Sequence, residues 1–272
     1  MSKINTQVLA KVIRAHALRM VNQAGSSHIG SCLSIADLLA VLYGKVLRVD
    51  SGNPDWAERD RFILSKGHAA AIYYAVLAES GYFPTAWLDT YCQNGGHLGG
   101  HVTSHGVPGV ELSTGSLGHG LPVGCGMALA SKHENRPNRI YVMLSDGELN
   151  EGSNWEAILF APHHHLDNLI AIVDYNKIQS FGRVAQVLNL DSLHEKWRAF
   201  GWSVHEVDGH DHVAITKTLE NLQVGTGQPS VVIAHTIKGK GISFMEDKLE
   251  WHYKSPNNEQ LNAALHELEI DP

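Results

Sequence analysis

The chain has 272 residues, with 28 Asp and Glu against 21 Lys and Arg, a formal charge of −7 and 26 glycines. A length of this order closes around one large core, and an acidic balance without a Lys/Arg surplus excludes nucleic acid as a partner, because phosphates need clustered cations. The longest apolar run, 69–78, falls well short of the about 20 residues that a bilayer span requires, so no membrane partner is expected.

In chain order, helical periodicity first covers 6–23. Lys3, Lys11, Arg14 and Arg19 are spread through an amphipathic pattern there, which reads as the first helix of the fold rather than a secretory leader. A second helix is predicted over 34–47, where Ser34 followed by Asp37 has the form of a capping box. A strand at 61–65, a helix at 68–80, a shorter helix at 85–92 and a helix at 120–133 follow. Apolar, β-branched runs at 139–144, 169–174, 202–207 and 230–235 read as strands, separated by helical stretches at 151–165, 192–200 and 213–221. Continuous apolar strands alternating with helices predict an α/β fold, a parallel sheet with helices on both faces. No repeat or dividing linker is visible, so 1–272 reads as a single domain.

The loop 93–118 is rich in glycine and holds His97, His101 and His105; compact domains carry such loops where they form a site. Cys32, Cys92 and Cys125 lie far apart without CxxC spacing, which argues against disulfides and a Cys-type zinc site and makes the cytoplasm the expected compartment. Cys32 and Cys125 read as packing. The tract His163, His164 and His165 points in successive directions around a helix, so a capping or interface role is expected rather than a metal.

Chemistry concentrates where strands end. Asp146 and Gly147 follow the strand 139–144, and Asn176 follows the next strand. A carboxylate and a carboxamide oxygen at adjacent strand ends suit a hard divalent cation, and Gly147 lets backbone N–H groups approach an anion at the following helix. The outline is a metal site beside a diphosphate site.

SSHIGSCLS (26–34), SKGHA (65–69), GGHV (99–102), ELSTGSLGHG (111–120), SDGELNEG (145–152) and TIKGKG (236–241) together resemble the N-terminal, diphosphate-binding half of transketolase, a thiamine diphosphate enzyme, in type and in order. The motifs span most of the chain. Two positions depart from the family pattern: Ser145 stands for a usual Gly and Tyr175 for the first of a usual Asn pair. Ser145 is small enough for the turn and Asn176 retains the amide, so cofactor binding is expected to survive, with affinity the property at risk.

The resemblance implies roles. Asp146 and Asn176 would hold Mg²⁺ (or Ca²⁺ or Mn²⁺) through side chains, and Ile178 through its carbonyl. Gly147, with Ser145 and Glu148 beside it, would admit the diphosphate; Lys238, with Lys240 a weaker candidate, would compensate its charge. Gly115, Ser116 and Leu117 match the loop that touches the aminopyrimidine. His28, His68 and His101 match substrate-facing histidines, His68 also meeting the cofactor, and His252 is a weaker substrate candidate. Glu151 and Glu156 match a carboxylate pair that links active sites across a subunit interface, although acidic residues early in a helix also simply complement its dipole. The implied reaction moves a two-carbon ketol unit from a ketose, as phosphate or related sugar, to an aldose. The family's pyrimidine-binding residues lie in a second half, so the resemblance implies the N-terminal subunit of a split transketolase, completed by a C-terminal subunit in a heterotetramer; EWHYKSPNNEQ (250–260) resembles that branch, with Tyr253 replacing a common Gly. Pentose phosphates, branched sugars and sulfo-sugars all remain open as substrates. Alternatives are another thiamine diphosphate enzyme subunit, similar to 1-deoxyxylulose-phosphate synthase or to the α chain of a 2-oxoacid dehydrogenase, and a non-catalytic cofactor-binding assembly protein. A nicotinamide enzyme is excluded because no strand is followed by G-x-G-x-x-G.

Overall fold

A computed structural model describes residues 5–270. The Asn5 side chain opens α1 (Thr6–Ala24) by accepting from the N–H groups of Gln7 and Val8, and Gly25 closes it in the left-handed region at φ 59°. The helices that follow are α2 (Ile29–Ser34), α3 (Ala36–Val41), α4 (Ala70–Glu79), α5 (Gly120–His133), α6 (Gly152–His163), α7 (Val184–Val187), α8 (Leu193–Ala199), α9 (His212–Glu220) and α10 (Asn258–Glu267). The strands are β1 (Arg61–Leu64), β2 (Ile140–Ser145), β3 (Leu169–Tyr175), the small antiparallel pair β4 (Ile178–Gln179) and β5 (Gly182–Arg183), β6 (Ser203–Asp208) and β7 (Ser230–His235).

Five strands form one parallel sheet in the order β1-β2-β3-β7-β6. Every residue of β2 is buried. Tyr141 and Met143 enter the core shared with Leu18 of α1, Leu39 of α3 and Val76 of α4, while Ile140, Val142 and Leu144 enter the opposite core with Leu121 of α5 and Ile158 of α6. Helices on both faces therefore explain why these strands read as unbroken apolar runs. Among the described residues, no helix is long and apolar enough to cross a membrane.

The helix predicted over 34–47 divides. Ser34 ends α2, α3 starts two residues later, and a π-helical turn over Leu42–Val46 completes the segment. The expected capping box is absent: the Ser34 hydroxyl donates to Ser31 O and to the Asp174 carboxylate at 2.8 Å, and Asp37 pairs with Arg14. The short helix at 85–92 is a 3-10 helix over Thr85–Thr90. A capping box does occur at α10, between Asn257 and Gln260, in a helix that the sequence pattern did not place.

Candidate active site

Register brings the site together. Ser145 lies beside Asp174, and Asp174 beside Ala234, so the C-terminal ends of β2, β3 and β7 deliver Asp146, Asn176 and Lys238 to one side of the sheet. Asp146 is 1 % exposed. One carboxylate oxygen accepts from Gly147 N–H at 2.7 Å and the other from Lys177 N–H at 2.5 Å. Burial, reinforced by the neighbouring Asp174 charge, lifts its carboxyl to about 6. The Asn176 amide nitrogen donates to Asp174 at 2.9 Å, which turns the amide oxygen the other way, where it accepts from Ile178 N–H at 3.1 Å. The Ile178 carbonyl accepts from Lys238 Nζ at 2.9 Å.

Asp174 is the hub beneath these groups. It accepts from Lys66 Nζ at 2.5 Å, Ser34 Oγ, Asn176 Nδ2 and Thr236 Oγ1, and both Asp174 and Lys66 are fully buried. Burial alone would raise its carboxyl, but the Lys66 ammonium overrides that and holds it below the ordinary range. Removing either partner would strand a buried charge. Neither Lys66 nor Asp174 is among the residues that the sequence singles out. SKGHA draws attention through its histidine and 169–174 through its apolar character, and nothing local signals that the two meet.

Four imidazoles roof the cavity. The His28 ring centre lies 5.1 Å from that of His68, 5.9 Å from that of His101 and 5.1 Å from that of His252. His28 sits at φ 77°, and its N–H donates to His252 O at 2.9 Å. Burial, aided by His101, Lys238 and Lys66, depresses His28 to about 4; burial and Lys238 depress His252 to about 3, and burial holds His68 well below its ordinary value. These three rings are therefore neutral at neutral pH. Lys238 Nζ donates to His252 Nδ1 at 2.8 Å, which leaves the ring proton on Nε2. Burial also brings the Lys238 ammonium down to about 8.

Glu148, fully buried, ties three segments: its carboxylate accepts from Ser65 Oγ at 2.5 Å, Gly118 N–H at 3.0 Å and Ser145 N–H at 3.2 Å. Burial raises its carboxyl. The glycine-rich loop, which has no helix or strand across 93–118, folds back on β1: Thr114 Oγ1 donates to Leu64 O, Thr114 N–H to Val102 O, and Val102 N–H to Gly67 O. Gly115 is at φ 146°, and a Cβ there would meet the His101 ring at 2.9 Å.

The resulting cavity of about 230 Å³ brings together His28, His68, His101, Gly115, Leu117, Ser145, Asp146, Gly147, Glu148, Asn176, Ile178, Lys238 and His252, with Ser31, Gln179 and Ser180. Ser116 and Glu151 lie outside this lining. Glu151 is exposed at the start of α6, where its side chain makes no capping hydrogen bond, and Glu156 is exposed beside Phe160 on a separate apolar groove. Lys240 turns to Glu246 at 3.2 Å. Tyr175, the other departure from the family pattern, is not among the lining residues; its hydroxyl donates to Asp191 at 3.1 Å. His163, His164 and His165 are exposed, and among the described residues no group of three or more His, Cys, Asp or Glu side chains is arranged to hold a metal. Asp146, Asn176 and Ile178 offer one carboxylate and two neutral oxygens, an all-oxygen set suited to a hard cation.

The family model for the transketolase thiamine diphosphate-binding domain matches residues 5–272. The chain is 48% identical over 260 residues to an apulose-4-phosphate transketolase subunit of Actinobacillus succinogenes, covering 95% of this chain and 94% of that protein. It is 44% identical to a 6-deoxy-6-sulfo-D-fructose transketolase subunit of a Clostridium species, covering 98% and 97%. Among solved structures, transketolase from Leishmania mexicana superposes with a TM-score of 0.94 at 32% identity, over 99% of this chain and 42% of that one. Transketolase from Campylobacter jejuni gives 0.92 at 33% identity over 98% and 43%, so the chain spans less than half of these longer enzymes.

Proposed function

Because the chain belongs to the transketolase thiamine diphosphate-binding family, we propose that it is the diphosphate-binding subunit of a split transketolase, transferring a two-carbon ketol unit from a ketose to an aldose. The observation that carries the reading is the convergence of Asp146, Asn176 and Ile178 with four imidazoles on one cavity at the strand ends. The residues fit the cofactor and its metal. Asp146 is a buried carboxylate that burial pushes up to about 6 and whose hydrogen-bond partners are backbone N–H groups, so a divalent cation would relieve it. Mg²⁺ is the proposed ion, held by Asp146, Asn176 and the Ile178 carbonyl; Ca²⁺ or Mn²⁺ would use the same oxygens. At Gly147 a Cβ would come within 2.8 Å of Gln179, so glycine keeps the backbone open to an anion. Lys238 brings a positive charge to the same wall.

When bound, thiamine diphosphate supplies the electron sink for carbon–carbon cleavage. The chain's residues bind and orient. Gly115 and Leu117 face the cavity from the glycine-rich loop, where they would contact the aminopyrimidine, while Ser116 between them is exposed. Neutral His28, His68 and His252, together with His101, would hydrogen-bond substrate hydroxyls and the carbonyl without adding fixed charge. His252 would offer its Nε2–H. Ser145 Oγ accepts from Glu148 N–H at 3.3 Å, which fixes the turn that carries Asp146.

The pyrimidine-binding half would come from a C-terminal partner subunit, two copies of each forming a heterotetramer in the cytoplasm. Glu151 would then act across the interface, since on this chain alone it faces outward. The relatives that match nearly end to end are named as subunits, and the substrates in their names are an apulose phosphate and a sulfonated fructose; the proposed substrate class is a ketose with an anionic terminus. Titration calorimetry of the full chain with its partner tests the reading. Mg²⁺-dependent thiamine diphosphate binding and two-carbon transfer are expected, and absence of metal-dependent binding would overturn it.

A further inference from the structure

Behind the loop that carries Lys238, four polar side chains meet outside the cavity lining. Asp37 of α3 accepts from the Arg14 guanidinium of α1 at 3.0 and 2.6 Å, from His210 Nδ1 at 2.7 Å and from His212 Nε2 at 3.0 Å. The other nitrogen of His210, Nε2, lies 2.9 Å from the N–H of Ile237. A backbone amide there can only donate, so Nε2 is the acceptor and the ring proton sits on Nδ1, toward Asp37. The tautomer is thus dictated by its two partners.

Ile237 directly precedes Lys238. On the far side of that lysine, Lys240 O accepts from Arg14 Nε at 3.1 Å. One network therefore grips the loop on both flanks of Lys238, whose own backbone is braced from other segments: Lys238 O accepts from Asp247 N–H at 2.8 Å and Gly239 N–H donates to Gly30 O at 3.0 Å. Glu246, which takes Gly241 N–H and pairs with Lys240, closes the same side. His210 touches no cavity group, and its side chain is 13% exposed.

We propose that His210 is a positioning residue for Lys238: held in its Nδ1–H form by Asp37, it fixes the Ile237 N–H and so sets where the Lys238 ammonium enters the cavity. The proposal rests on the reading of Lys238 as a contact for the cofactor's diphosphate, and its test separates the two. Gln at this position can present an N–H to Asp37 and a carbonyl oxygen to Ile237; Leu can do neither. In the full chain with Mg²⁺, calorimetry with inorganic pyrophosphate is expected to show His210→Leu binding about tenfold more weakly and His210→Gln within about twofold of the unaltered chain. The Ile237 amide should exchange rapidly with solvent in the first variant and stay protected in the second. Pyrophosphate affinity unchanged in a folded His210→Leu chain, while Lys238→Ala weakens it, overturns the positioning role and leaves the diphosphate reading standing. Unchanged affinity in Lys238→Ala overturns both. Should His210→Leu fail to fold, nitrogen NMR of the unaltered chain decides: a non-protonated Nε2 coupled to the Ile237 N–H is expected, and a protonated Nε2 at neutral pH overturns the proposal.

Discussion

At the scale of single residues, the site depends on burial changing what ordinary side chains do. Asp146 is the clearest case, and Asp146→Ala is expected to weaken Mg²⁺-dependent thiamine diphosphate binding by about a hundredfold or more, read by calorimetry. The imidazoles give a pH prediction. His28 and His252 titrate at about 4 and about 3 in the folded chain, below the ordinary histidine value. As pH falls below about 6.5 the unfolded chain takes up protons that the folded chain refuses, so stability is lost; the part due to His28 levels off below about 4 and the part due to His252 below about 3. Asp146, raised to about 6, works in the opposite direction: acid protonates it more readily when folded, and its unfavourable charge is relieved as pH falls. His28→Gln should therefore lose less of its thermal midpoint than the unaltered chain between pH 6.5 and 4, measured by scanning calorimetry; an equal loss would mean that His28 is not buried neutral. Asp146, Asn176 and three of the four imidazoles were legible because each stands in a motif with its neighbours. Lys66 and Asp174 were not, because their meaning is a pairing made across 108 residues of chain.

At the scale of elements, β2, β3 and β7 were legible because burial on both faces leaves a continuous apolar signature, and their ends locate the loops that carry chemistry. Helix starts were less legible. Ser34 with Asp37 has the spacing of a cap, but both side chains are claimed by distant partners, Asp174 and Arg14, and a local pattern cannot register that competition. The cap at Asn257 is genuine, and Asn257→Ala should lower stability by about 1 kcal/mol in chemical denaturation. The turn after β1 is more sensitive. A Cβ on Gly67 would lie 2.5 Å from the Thr114 carbonyl carbon, backbone against backbone, with no flexible side chain to yield. Gly67→Ala is expected to cost about 1–3 kcal/mol and to weaken cofactor binding together with stability, because the displaced loop carries Gly115 and Leu117. A stability loss with unchanged thiamine diphosphate affinity would show that the loop tolerates the shift.

At the scale of the whole molecule, the motifs that resemble the first half of transketolase already implied a split enzyme, and the comparisons bear on the same reading. Alone, 272 residues indicate one core; the chain matches proteins named as subunits nearly end to end and spans 42% of the longer Leishmania mexicana transketolase. The isolated chain is expected to transfer ketol units at least about a hundredfold more slowly than the mixture with its partner, measured as aldose-dependent consumption of a ketose.

The clasp between His28 N–H and His252 O, with the neighbouring bond from Gly239 N–H to Gly30 O, joins the beginning of the chain to its last quarter. Its consequence belongs to biosynthesis. The sheet and the core it shares with α5 and α6 can form on the ribosome as the strands emerge, but the opposite core, which takes in Trp251, Ala264 and Leu265, and the roof of the cavity close only after the last segment has left the exit tunnel. A nascent chain arrested before that segment is therefore expected to fold much of its sheet while holding no thiamine diphosphate.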